Sequence, residues 1–138
     1  MYQKVGHYDG DTKVLVELIR LLDPAPTLPL LYNTTEPKRT EAVYRPHLQE
    51  TLPGEWTKCF LAIIWPNGSI MPHQDLDVAG QIRTHLVMQT NSDCWCMNAG
   101  LWSQPEQGGI YTMDQTLVHA SINWGSEPRV HFVVDRKD

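Results

Sequence analysis

Gln81-Ile82-Arg83-Thr84-His85-Leu86-Val87-Met88-Gln89 is the stretch on which the fold turns. Ile82, Thr84, Leu86 and Met88 alternate with Arg83, His85, Val87 and Gln89. An extended strand imposes that period of two because its successive side chains point to opposite faces. Arg83 and His85 therefore share a face. Similar short β-branched and aromatic runs flank this stretch on both sides. Cys59 to Pro66 is an apolar strand closed by the turn Pro66-Asn67-Gly68-Ser69. Cys94 to Asn98, Gly109 to Met113 and Val118 to Asn123 follow, and a Trp124-Gly125-Ser126 turn leads into Arg129 to Asp135. Short strands separated by turn signals describe an all-β sandwich or barrel.

N-terminal to Trp56 the texture differs. Val14, Leu15, Leu18, Ile19 and Leu22 fit an amphipathic helix from Thr12 to Leu22, with Asp11 as its cap and Asp23-Pro24-Ala25-Pro26 as its stop. From there to about Gly54, the polar character and Pro37, Pro46 and Pro53 predict a loop-rich wrap with one or two short strands. The whole 138 residues suit one domain, with a wrap over 1–55 and a β core over 56–138. A net charge of -5 disfavours a nucleic-acid partner, and no apolar run is long enough to span a bilayer. The N-terminus lacks the features of a signal peptide, which places the protein in the cytoplasm. Cys59, Cys94 and Cys96, an odd set, read as reduced thiols, and Cys94-Trp95-Cys96 without a second pair does not read as a zinc site.

The chemistry gathers around His73-Gln74-Asp75. In an extended segment His73 and Asp75 point to the same side and can share a metal. Such a short pair recurs by chance, so its weight depends on what accompanies it. His119, 44 residues after Asp75, completes a two-histidine, one-carboxylate facial set of the kind that suits non-haem Fe(II). The set leaves coordination positions open for chelation by 2-oxoglutarate and for dioxygen. Arg129 follows His119 by ten residues across a tight turn, and its planar fork suits the distal carboxylate of that co-substrate. His131 alternates with Arg129 and fits a supporting place behind the site. Of the five tryptophans, Trp56, Trp65, Trp95, Trp102 and Trp124, most are assigned to packing. Trp102 and Gln104, in the loop from Leu101 to Gly108, are candidate substrate contacts.

Taken in order, these residues resemble the aspartyl/asparaginyl β-hydroxylase type of oxygenase, which includes free-proline cis-hydroxylases. The likeness runs from about Leu61 to Asp135. It comprises Trp65-Pro66-Asn67-Gly68-Ser69-Ile70, Pro72-His73-Gln74-Asp75, Ile82-Arg83-Thr84-His85-Leu86 and Gln89-Thr90-Asn91. Gly108-Gly109-Ile110-Tyr111-Thr112-Met113-Asp114, His119, Asn123 and Glu127-Pro128-Arg129-Val130-His131-Phe132-Val133-Val134-Asp135 complete it. The resemblance implies a mainly β, double-stranded β-helix (jelly-roll, cupin-like) fold with a short N-terminal helix. It implies His73, Asp75 and His119 as iron ligands and Arg129, Arg83 and His85 as 2-oxoglutarate residues, with Asn123 in a supporting place.

The implied reaction is hydroxylation of an amino-acid side chain, free or within a peptide or protein, with release of succinate and carbon dioxide. Animal members lack the carboxylate ligand, so Asp75 places the chain nearer the amino-acid hydroxylases and argues against halogenation. Two other readings stand beside this one. One is a cupin-like metal-binding or structural domain without turnover. The other is a nucleic-acid oxidative demethylase, disfavoured because Asp135 occupies the place of that branch's second arginine. The Pro-rich segment from Asp23 to Gly54 is the expected source of a substrate lid, with a homodimer as the other source.

Overall fold

The computed structural model describes residues 2–22, 30–34, 36–76 and 82–137. All strand pairs are antiparallel and fall into two sheets. The larger has the order β1 (Gln3–His7), β8 (Gly109–Thr112), β5 (Ile82–Gln89), β10 (Arg129–Lys137), β3 (Glu55–Ile64), β2 (Leu31–Asn33). The smaller runs β4 (Ser69–His73), β9 (His119–Asn123), β6 (Cys94–Asn98), β7 (Leu101–Ser103). The six runs foreseen from the sequence, the alternating Ile82 to Gln89 among them, all appear as strands, within a few residues at their ends. Among the described residues, no helix is long and apolar enough to cross a membrane.

The expected N-terminal helix forms as α1 (Thr12–Glu17), continued by a 3-10 turn over Leu18–Leu21. Asp11 caps it by accepting from the Lys13 amide at 2.9 Å. The Asp23 to Pro26 stop lies outside the described residues. The segment foreseen as a loop-rich wrap differs most. It holds a second helix, α2 (Pro37–Leu48), and supplies β2, while β1 precedes α1, so residues before the β core provide both edges of the larger sheet. Pro37 stands at the first helical position, where its missing N–H costs nothing, and Pro46 falls in the last turn. Thr40, Tyr44 and Leu48, spaced by four, form the buried stripe. Pro signals alone suggested a break; Pro37 is at a tolerated position, whereas Pro46 lies inside the helix and leaves the Ala42 carbonyl without its helical N–H, so the packing of the buried stripe overrides it.

These helices cover the outer face of the larger sheet. Leu15, Tyr44 and Leu48 pack with Leu61, Ile63, Leu86, Met88, Val130, Phe132 and Val134 in the main core. The Tyr44 hydroxyl donates to the Leu15 carbonyl at 2.8 Å and ties α2 to α1. Phe132 lies 5.2 Å from the Tyr44 ring and 5.6 Å from Trp56, centroid to centroid. The opposite residues of β10, namely Arg129, His131, Val133 and Asp135, turn toward the interior between the sheets. One sharp turn feeds that interior. Asn67 has φ 68°, and a Cβ on Gly68 would meet the Leu30 carbonyl at 2.2 Å, so only glycine fits where the chain doubles back into β4. Cys59, Cys94 and Cys96 are free and buried.

Candidate metal centre

His73 ends β4 and His119 begins β9, and the two are direct register partners. Facing positions of antiparallel strands bring side chains together, and here the imidazole centroids are 4.2 Å apart. Asp75 lies just beyond β4, held by its amide donating to the Gln115 carbonyl at 2.8 Å. Its Oδ2 is 3.2 Å from His119 Nε2 and 3.6 Å from His73 Nε2. A donor atom from each of the three residues falls within 4.8 Å of the others.

Both imidazoles are turned the same way by the backbone. His73 Nδ1 contacts the Met71 carbonyl at 2.7 Å, and His119 Nδ1 contacts that of Leu117 at 2.8 Å. A carbonyl can only accept, so each Nδ1 carries the proton and each Nε2 offers its lone pair to the centre. Two imidazoles and one carboxylate, with no thiolate among them, are a donor set that suits a divalent metal of intermediate hardness.

Arg83 and Arg129 both reach the cavity, about 280 Å³ in volume, that opens onto this triad, but in different states. Arg83, an expected co-substrate residue, lines this cavity. Its Nε and Nη2 donate to the two oxygens of buried Asp135 at 2.8 and 2.9 Å, and its Nη1 donates to Asp75 Oδ2 at 3.1 Å. A carboxylate that meets a guanidinium fork edge-on satisfies it bidentately, so Arg83 acts as a strut that fixes the Asp75 carboxylate. The strut follows from register, since Asp135 on β10 sits opposite Arg83 on β5.

Arg129 is only 2% exposed. Its Nη1 points to Cys96 Sγ at 3.8 Å, and its Nε has no partner. His85 and His131 are buried face to edge, with their Nδ1 atoms 3.1 Å apart, and His85 Nε2 is unpartnered. Burial, and then the neighbouring Arg129, holds both imidazoles well below the usual histidine range, which keeps them neutral.

The remaining candidates lie elsewhere. Asn123 donates to the Ile64 and Glu127 carbonyls at 2.8 and 2.9 Å and accepts from the Gly125 amide, so it clamps the turn that delivers Arg129. Trp102 is 50% exposed on the outer face of the smaller sheet beside Trp95, Ile122 and Trp124. Gln104 donates to the Ser92 and Cys94 carbonyls. Neither lines the cavity, because on β7 the register puts Trp102 opposite Met97 and on the outward face. Trp56 and Trp65 pack with the main core, whereas Trp95, Trp102 and Trp124 are exposed.

Cavity residues that the sequence analysis did not name include Tyr2, Lys58, Phe60 and Ser121. Ser121 was within reach of that reading, since it alternates with His119 on one strand. Tyr2 carried no such signal.

A family model described as aspartyl/asparaginyl beta-hydroxylase matches residues 32–138. Among solved structures, AviO1 from Streptomyces viridochromogenes Tue57 is similar at TM-score 0.66 and 14% identity, over 99% of this chain and 89% of that one. A Pseudomonas putida prolyl-4-hydroxylase is similar at TM-score 0.61 and 12% identity, over 99% and 92%. A cupin domain of an XRE-family transcriptional regulator from Enterobacter cloacae gives TM-score 0.50 at 16% identity, over 80% and 99%. At these identities the likeness concerns the fold, the jelly-roll with a cupin-like core.

Proposed function

The chain belongs to the aspartyl/asparaginyl β-hydroxylase family, and from that premise we propose that it is an Fe(II)- and 2-oxoglutarate-dependent dioxygenase that hydroxylates an amino-acid side chain, free or in a peptide or protein. The observation that carries this reading is the pairing, in one cavity, of the His73, Asp75 and His119 triad with Arg129, a buried guanidinium with an unpartnered nitrogen. A buried cation calls for an anion, and a dicarboxylic acid supplies one at its far end while its 2-oxo acid end faces the metal. Fe(II) and 2-oxoglutarate, when bound, would supply the chemistry that turns dioxygen into the oxidant: one oxygen atom ends in succinate as carbon dioxide is lost, and the other in the hydroxyl formed from a substrate C–H bond.

The protein's own groups prepare that chemistry. Met71 and Leu117 set the tautomers of the two imidazoles through their carbonyls, and Arg83 holds the Asp75 carboxylate in place. Arg129 pairs with the distal carboxylate, and neutral His85 presents its free Nε2 to the cavity. Phe60, Ile70 and Met113 supply apolar wall that limits water around the reacting carbon.

Anaerobic addition of Fe(II) and then 2-oxoglutarate should give a weak visible charge-transfer band, and its absence would sink the co-substrate assignment. Arg129→Ala should raise the 2-oxoglutarate requirement and leave Fe(II) binding intact. Succinate release stimulated by amino acids or peptides should vanish in His73→Ala. Equal turnover by both proteins would remove His73 from the ligand set.

The second reading is a cupin-like metal-binding domain without turnover, favoured by the fold likeness to a cupin domain. It predicts metal binding with no succinate under any candidate substrate. A nucleic-acid demethylase is the weaker alternative, because Asp135, in the place of a second arginine, is engaged by Arg83.

A further inference from the structure

Around Arg129 the hydrogen-bond chemistry is lopsided. Ser121 Oγ donates to Cys96 Sγ at 3.5 Å, Arg129 Nη1 points to the same sulfur at 3.8 Å, and Tyr2 packs with Cys96 and lines the cavity beside Ser121 and Arg129. A thiol sulfur is a weak acceptor, yet a guanidinium and a hydroxyl converge on it in a buried pocket that Tyr2 also lines. A carboxylate would be a far better acceptor for the same groups.

We propose that Tyr2 is a co-substrate residue: with Ser121 and Arg129, its hydroxyl completes the seat for the distal carboxylate of a 2-oxo dicarboxylic acid. The assignment rests on the reading of the site as a 2-oxoglutarate oxygenase. Tyr2 directly precedes β1, whose pairing with β8 matches Gln3 to Thr112 and carries the ring in beside Met113 and Cys96. The ring is 6% exposed and lies edge-on to His85 at 5.5 Å. Burial raises the phenol pKa, so the hydroxyl keeps its proton and remains a donor.

The spacing agrees. Ser121 follows His119 by two residues on the same face of β9 and pairs with Cys96 in register, and two strand residues advance about 6.6 Å. One end of the cavity thus holds the metal ligand and the other end holds the donors, which suits an extended five-carbon diacid. Ser121, Tyr2 and Arg129 together would then select against 2-oxo acids that lack the second carboxylate.

The test titrates the visible band of the anaerobic Fe(II)-loaded protein with 2-oxoglutarate and, separately, with 2-oxopentanoate, which has the same chain without the distal carboxylate. Tyr2→Phe keeps the ring and its packing on His85. It should weaken 2-oxoglutarate binding about tenfold, the scale of a hydrogen bond to a charged group, and leave 2-oxopentanoate and Fe(II) affinities unchanged. Ser121→Ala should shift binding in the same direction.

Unchanged 2-oxoglutarate affinity in Tyr2→Phe overturns the proposal. So does an equal loss for both acids, which would assign Tyr2 to packing alone. A wild-type protein that gives no band with 2-oxoglutarate overturns the oxygenase reading itself, an outcome visible before any variant is made.

Discussion

The two faces of β10 are equally buried and chemically opposite. Val130, Phe132 and Val134 turn toward the helices at 2%, 0% and 0% exposure, while Arg129, His131 and Asp135 turn toward the interior at 2%, 1% and 1%. The outer face has the composition of a core. The inner face places two charges and an imidazole where water is scarce, an arrangement that costs stability unless each charge is partnered. Asp135 has its partner in Arg83, whereas Arg129 has a nitrogen without one. Depth of burial therefore does not separate scaffold from site in this protein; the satisfaction of buried polar groups does.

That contrast can be broken from either side. The largest effect should come from the outer face, where Phe132→Ala removes a fully buried ring packed against Tyr44 and Trp56. It should cost about 3–5 kcal/mol in denaturant unfolding. The folded fraction should retain its metal affinity, and a parallel loss of metal binding would show that the two faces are not separable.

On the inner face, Asp135→Asn takes the negative charge from the bidentate partner of Arg83. It should cost about 3 kcal/mol, the lower end for breaking a buried pair. Unlike the Phe132 change, it should also weaken metal binding, because Arg83 orients Asp75. If titration of the folded protein with metal gives the wild-type affinity, Arg83 is not acting as a strut.

A smaller effect is expected from pH. His85 and His131 are held well below the ordinary histidine value near 6.5 in the folded protein. Above that value both folded and unfolded states are neutral. As pH falls below it, the unfolded chain takes up protons that the folded state refuses, so stability declines. The melting temperature of the metal-free protein should fall between about pH 6.5 and 5. His131→Asn should flatten that slope, and an unaltered slope would place its origin in other groups.

The smallest effect belongs to Trp102→Ala, on the exposed outer face of the smaller sheet. It should change stability by no more than about 0.5 kcal/mol and leave co-substrate binding untouched. A marked loss of 2-oxoglutarate affinity would restore Trp102 to the site.

The alternation of Ile82 to Gln89 and of Arg129 to Asp135 made the central strands legible, because a period of two is a local property of extended chain. The same period of two put His73 and Asp75 on one side, while His119 and Arg129 gained their weight from the order of residues that resembles the hydroxylase family. Helix α2 was not legible, because Pro37 gives the same local signal in a loop as at a first helical position, and Pro46 inside the helix is a breaker that only tertiary packing overrides. The placement of Trp102 and Gln104 was not legible either, because it depends on the register of β7 on β6, which turns Trp102 outward, and on the Ser92 and Cys94 carbonyls that engage Gln104.

The sequence by itself determined a β-rich fold and, through the family it resembles, a jelly-roll with His73, Asp75, His119 and Arg129 as a candidate site. Its periodicities and short spacings act within one strand or across one turn. Only the tertiary structure decided that Arg83 is taken by Asp135, that Arg129 has an unpartnered nitrogen, and that Tyr2 joins it from the far end of the chain. Those outcomes depend on which strands become neighbours. Register across β5, β10 and β8 brings together residues separated by dozens of positions, and no local pattern records which partner a buried charge will meet.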